Sequence, residues 1–325
     1  LLSSSFYRLG LLQQMYSAIH IILDKIKMKC YLIELYSTLG ELYGITGNIR
    51  KAIDCNEKVE EIINGVFALN QDSKQTQNYL KELKIASLFD RGICKIALWE
   101  IWEAAQIIYQ AEILAKGVRN LEYQVDSWYC LAFLNSCISS CQVVSTELAS
   151  NEEIQAHIKL PHSIKKFEIK ALEYARKASN SIKENYEELG IWTKCYSLYF
   201  LGLTYRNLNE SSKAFEMHNK LLVFATENHY VQLIGMSMNG LAILHREEKT
   251  FEESLSLHSK ALEKLSEIGA KCDLAEAYYQ LGLTYQVMGE SEKSDKTFRK
   301  SAQLFSEMEA PKQVERVRRS MQGLS

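Results

Sequence analysis

The chain has 325 residues, 47% of them hydrophobic, with 2 Pro, 15 Gly and a formal net charge of −2. Turn formers this sparse exclude a sandwich or barrel of that length and suit long helices on short connections. Lys+Arg of 38 against Asp+Glu of 40, with no basic stripe, argues against nucleic acid as a main partner.

In chain order, the start LLSSSFYRLG lacks the basic n-region and long apolar core of a signal peptide. It also lacks an initiator Met, as a piece of a longer chain would. Residues 1–27 read as a degenerate helical repeat, because Ala18 lies 34 residues before Ala52. The next unit, 31–69, carries Gly40, Tyr43, Ala52 and Val59. NQDSKQTQN (70–78) is polar, and we expect it to form a loop that absorbs the 12 surplus residues between Gly40 and Gly92. Unit 79–118 has Gly92, Ala104 and Ala111.

Unit 123–188 begins with Ala132, 40 residues beyond Gly92, and its second helix is displaced to about 162–188. The insertion 138–163 is either a surface excursion or a lid. Within it, Ser150 and Glu153 could form a capping box, and Pro161 suits a helix start.

Three units then run in register, 190–228, 231–268 and 271–308. Leu201, Leu241 and Leu281 fall at intervals of 40, as do Gly202, Ala242 and Gly282, and Tyr205, His245 and Tyr285. Further on come Ala214, Ser254 and Ser294, then His218, His258 and Phe298, then Leu221, Ala261 and Ser301. The first small residue lies on helix A of each unit and the later ones on helix B, where they let an antiparallel pair approach closely. Gly289 suits a left-handed C′ position and Ser291 an N-cap. One hairpin cannot bury its apolar face alone, so neighbours stack. A polar, partly basic helix at 311–322 should cap the array, with Glu315, Arg316, Arg318 and Arg319 as solvated surface.

This arrangement resembles the tetratricopeptide repeat family, in a long form with a period of 40 rather than 34 and without the usual proline near the end of helix B. The resemblance implies an all-α, right-handed superhelical solenoid of antiparallel helix pairs spanning 1–325. The long form is similar to regulatory and signalling arrays rather than to chaperone-docking ones.

The family's concave wall is made mainly by helices A. Carried over, this implies a groove lined by Tyr196, Tyr199, Leu203 and Arg206, then Met236, Asn239, Ile243 and Arg246, then Glu276, Tyr279, Leu283 and Gln286. Earlier units contribute Asp126, Tyr129, Phe133 and Phe89. Tyrosines beside Arg and Asn offer rigid apolar area with polar handles, as a peptide or protein ligand requires, though the same tyrosines could simply cover a neighbouring helix. A carboxylate clamp of the chaperone-tail type is disfavoured, because only Asn239 is of the needed residue type.

Evidence for chemistry is slight. His218, His258 and His245 could be drawn as a metal site, but Phe298 occupies the same slot as the first two, so they read as packing aromatics. The 8 cysteines lie in apolar helical patterns without a CxxC pair, and they read as buried thiols in a reducing, cytoplasmic setting. Phosphate loops, nucleophile elbows and metalloprotease motifs are absent from the sequence. No apolar run is long enough to span a bilayer.

The sequence therefore points to a non-catalytic protein- or peptide-binding scaffold or sensor, with no cofactor or metal. The alternative is the non-catalytic arm of a larger signalling ATPase or hydrolase, whose other domains would be its partners. A third reading is an architectural piece of an assembly.

Overall fold

The computed structural model describes residues 29–67, 74–140 and 162–323. The proposed repeat 1–27, the Ser150–Glu153 box, Pro161, Cys141 and most of the insertion lie outside them. The described residues form thirteen α-helices and no strand. In chain order these are α1 (Lys29–Ile45), α2 (Ile49–Phe67), α3 (Lys74–Ala97), α4 (Ile101–Ala115), α5 (Leu121–Ser139), α6 (His162–Glu184) and α7 (Ile191–Asn207). They continue with α8 (Ser211–Glu227), α9 (Val231–Glu247), α10 (Phe251–Glu267), α11 (Lys271–Val287), α12 (Ser291–Glu307) and α13 (Pro311–Met321). Odd-numbered helices up to α11 are helices A and even-numbered ones are helices B, so the array is an all-α solenoid of antiparallel pairs.

The small-residue code has a direct spatial meaning. A Cβ added at Gly202 would stand 2.6 Å from Nε2 of His218, and one at Gly282 would stand 2.6 Å from the Phe298 ring. The glycine on helix A thus admits the bulky ring of helix B. Twelve residues after the helix A small residue, the serine hydroxyl is fully enclosed and donates back to that residue's carbonyl. Ser254 Oγ bonds Ala242 O at 2.8 Å, and Ser294 Oγ bonds Gly282 O at 2.9 Å. Each bond satisfies a buried hydroxyl and fixes the separation of the two helices.

The turns repeat as well. Asn209, Lys249 and Gly289 all take left-handed backbone angles, with φ of 60°, 62° and 78°. The following amide closes a six-residue ring onto helix A in each case, as in Glu290 N to Tyr285 O at 2.9 Å. Ser291 is the first residue of α12, and no side chain caps that helix, so the capping role expected of Ser291 is not seen. Residues 74–78, read from sequence as loop, instead extend α3 to 24 residues.

The array curves until its ends meet. Leu39, Tyr43, Ile49 and Leu98 from the first units share one buried cluster with Tyr279, Phe305, Met308 and Val317 from the last. Nε2 of Gln313 donates to Ala97 O at 2.9 Å, and a Cβ at Gly47 would strike Lys271 and Met308. Helix α13 therefore closes the array against α3 instead of ending it in solvent.

Candidate functional site

The inner faces of α1, α3, α5, α7, α9 and α11, with α13 across the seam, surround a central cavity of about 660 Å³. Of the sixteen groove positions read from sequence, all but Arg246 and Gln286 line it. Helix periodicity explains the agreement: positions six and three before the small residue, and one and four after it, share the inward face.

The two exceptions have a common cause. Each lies on the last turn of helix A, where a following element covers it. Nη1 of Arg246 is buried and donates to the backbone O and Oε1 of Gln280, at 2.9 and 3.0 Å. Nε2 of Gln286 donates to Ser320 O of α13 at 2.7 Å. Both are wall joints between neighbouring units.

Aromatic rings form one side of the cavity. Tyr129 stacks on Phe200 with centroids 5.5 Å apart and meets Phe89 edge-on at 6.1 Å. Phe133 tilts against Phe200 at 5.3 Å, and Tyr199 meets Phe200 edge-on at 5.4 Å. These contacts hold the rings in place without a ligand. Asn239 is likewise held, its Oδ1 3.1 Å from Nδ1 of His258, whose Nε2 lies 3.0 Å from Thr284 Oγ1. His258 is therefore a positioning joint as well as a packing ring. Burial holds its pKa down to about 3, with Arg246 adding to the effect, so the imidazole is neutral, one nitrogen donating and the other accepting. His218, the same residue one unit earlier, has no polar partner for either nitrogen.

Arg316 contradicts the expectation of solvated surface. It is 9% exposed, pairs with Glu276, and has its guanidinium 4.2 Å from the Trp99 ring centroid and 4.0 Å from that of Tyr279. Glu315 and Arg318 do pair with each other on the exposed side of α13.

Several lining residues escaped the sequence reading. Tyr123, Trp192, Gln232 and Asp273 lie nine or ten positions before the small residue, one turn beyond the stripe that was read. Glu41 and Gly44 lie one and four positions after Gly40, where the same template applied. Asp90, Trp99 and Arg316 carried no periodic signal.

Carboxylates give the cavity its electrostatic character. Desolvation at the cavity wall lifts the half-buried Asp126 to about 7, opposed by hydrogen bonds from Thr193 and Tyr129. It raises Glu41 in the same direction, although that residue is exposed to solvent. Asp273 is lifted to about 6 by burial, opposed by Gln232 Nε2 at 2.7 Å. Burial, then the charges of Glu41 and Asp126, hold Asp90 well above its ordinary range. The described residues contain no cluster of His, Cys, Asp and Glu arranged to hold a metal ion. No described helix is long and apolar enough to cross a membrane.

Stacked helix pairs locked by small residues, curving around a ligand-sized cavity lined by their first helices, define a helical-repeat binding array. The family model for the tetratricopeptide repeat matches residues 275–307, and the chain is a tetratricopeptide-type solenoid. Its fold is similar to that of NprR, solved in complex with its cognate peptide NprX, at a TM-score of 0.56 and 12% identity over 96% of this chain and 79% of that one. It is also similar to a Rap protein solved with competence and sporulation factor, at a TM-score of 0.52 and 13% identity over the same shares. No curated protein matches the sequence.

Proposed function

We propose that this chain is a non-catalytic sensor or adaptor that encloses a short peptide in its central cavity. The observation that carries the reading is the central cavity itself, a concave space open to solvent on part of its surface. Its wall combines preset aromatic faces with polar side chains, including Asn239 and Gln280, that can meet a peptide backbone. Small apolar ligands would not need so many polar groups, and a folded protein domain would not enter 660 Å³. One fold neighbour was solved with its cognate peptide and the other with competence and sporulation factor, which supports the same reading. No histidine, serine or lysine is among the residues that line the cavity, and binding without turnover is the activity we assign to it. A reducing, cytoplasmic setting suits the free thiols of Cys55, Cys94, Cys130, Cys137, Cys195 and Cys272.

The test uses a peptide extract of the host. The protein is mixed with it, separated by gel filtration, and the co-eluting peptides are identified by mass spectrometry. A Leu203→Trp variant, checked for unchanged helicity, fills the cavity. A peptide carried by the parent, lost from the variant and able to raise the parent's Tm establishes the reading. Equal recovery with both proteins would move binding off the cavity.

A further inference from the structure

We propose that the cavity selects a cationic peptide, and that a lysine, arginine or free amino terminus sits at the end walled by α1, α3 and α5. The inference rests on the peptide-cavity reading above and specifies the charge of its ligand.

The charges on the wall are unequal. Glu41, Asp90, Asp126, Asp273 and Glu276 line the cavity, against Arg206 and Arg316. Arg316 is committed to Glu276, and Arg206 to Glu247, a residue outside the wall. Asp273 has Gln232 as a donor. Glu41, Asp90 and Asp126, from three successive helices A, have no basic partner on the wall. Asp126 accepts hydrogen bonds from Thr193 and Tyr129, and Asp90 feels the charges of both neighbours. Among the lining residues no lysine or arginine is left to neutralise them.

A second observation marks the same end of the cavity. Asn56 lines it, is only 1% exposed, and has no partner for either its amide nitrogen or its amide oxygen. A buried amide with both atoms unsatisfied costs the empty protein stability, and three carboxylates gathered on one wall without a basic partner repel one another. Oδ1 of Asp126 is similarly unpaired. An ammonium or guanidinium would reverse these costs together, since it donates to carboxylates and amide oxygen alike. The faces of Phe89, Tyr129 and Phe133 stand beside this end, and aromatic faces also attract cations. The peptide backbone would meet the Asn56 nitrogen. An acidic or neutral ligand would cover the carboxylates without matching their charge.

The experiment passes a pool of random short peptides, half of them acetylated at the amino terminus, over the immobilised full chain, and reads the retained sequences by mass spectrometry. Asp90→Asn and Asp126→Asn variants are run in parallel. Peptides with Lys, Arg or a free amino terminus should be enriched roughly tenfold or more over uncharged ones. Both variants should lose that preference while their Tm stays level or rises, because a like charge has been removed. A merely structural role for the carboxylates would lower Tm instead.

Enrichment of uncharged or acidic peptides overturns the charge selectivity and leaves the peptide reading standing. Retention of no peptide overturns that reading. Spermidine, added alone in a thermal-shift assay, distinguishes the source of the cation. If spermidine raises Tm and no peptide is retained, the carboxylates serve a free polyamine and the peptide part of the proposal falls.

Discussion

Arg316 lies against the face of Trp99, its guanidinium carbon 4.2 Å from the ring centroid, and this contact joins the last helix to the first described units. Trp99 sits in the turn between α3 and α4 at φ 61°, a conformation bulky side chains rarely adopt. The same guanidinium pairs with Glu276 across the seam. Removing one partner of a largely buried ion pair strands the other, at a cost of about 3 kcal/mol or more. Arg316→Ala should therefore destabilise the protein by about that much, and small-angle scattering should show a larger radius of gyration. Arg316→Met combined with Glu276→Gln should cost clearly less than the sum of the single changes. An unchanged radius in Arg316→Ala would show that the apolar cluster alone keeps the seam closed.

The repeat was legible because a packing code has to recur. Gly202, Ala242 and Gly282 must be small at the place where a ring from helix B arrives, and a periodic demand leaves a periodic trace. The inward stripe followed once the resemblance to the tetratricopeptide family made helices A the concave wall, since a helix that presents Tyr199 inward also presents Tyr196 and Leu203. The seam was not legible. Arg316 meets Trp99 and Tyr279 only after the curvature of every unit has accumulated, and no local pattern records that sum. Arg316 sits in PKQVERVRRSM, whose composition reads as solvated surface. Arg246 and Gln286 were assigned to the cavity because the stripe says which face a residue shares, and not whether the next helix covers its tip.

His218 supplies a cleaner test of the packing code. Its ring is fully enclosed, both nitrogens lack partners, and burial, reinforced by Arg206, depresses its pKa to about 4. Phe298 fills the equivalent slot against Gly282. His218→Phe should stabilise the protein by about 1 kcal/mol, the cost of the unsatisfied groups it removes. The effect should grow in acid. A histidine whose folded pKa lies below its unfolded value binds more protons when unfolded, so stability is lost as pH falls from about 6.5 toward 4. Urea denaturation at pH 7 and pH 5 would show whether the variant's advantage widens at the lower pH. A destabilised variant would mean that an internal water serves the ring.

Glycines in this chain divide by what stands opposite them. Gly202→Ala places a methyl 2.6 Å from a rigid imidazole ring and should cost about 1–3 kcal/mol. Gly65 is exposed on α2 and has nothing within 4 Å of an added Cβ. Gly65→Ala should therefore gain about 0.5–1 kcal/mol from helix propensity alone. Thermal melts of the two variants should move in opposite directions. A shift of the same sign in both would mean that helix propensity outweighs the close approach at Gly202.

The raised carboxyls predict how ligand binding depends on pH. Asp126 at about 7 and Asp273 at about 6 are partly protonated in the empty protein near neutrality, and Glu41 is raised in the same direction. The groups facing them are Asp90, the Tyr129 and Thr193 donors on Asp126, Glu122, Glu276 and the Gln232 donor on Asp273. A cationic ligand favours the charged carboxylates, so binding should release protons, and affinity should rise as pH increases from about 6 to 8, by up to about tenfold for each full proton released per pH unit. Titration calorimetry in two buffers of different ionisation enthalpy reads the proton count directly. The empty protein should show the converse linkage: these carboxyls have folded pKa values above their unfolded ones, so their contribution to stability is present in acid and lost as pH rises through about 7. That trend opposes the one from His218, and Asp126→Asn should expose the histidine slope by removing part of its counterweight. Proton uptake on binding, or affinity that falls with rising pH, would rule out a cation at this end of the cavity.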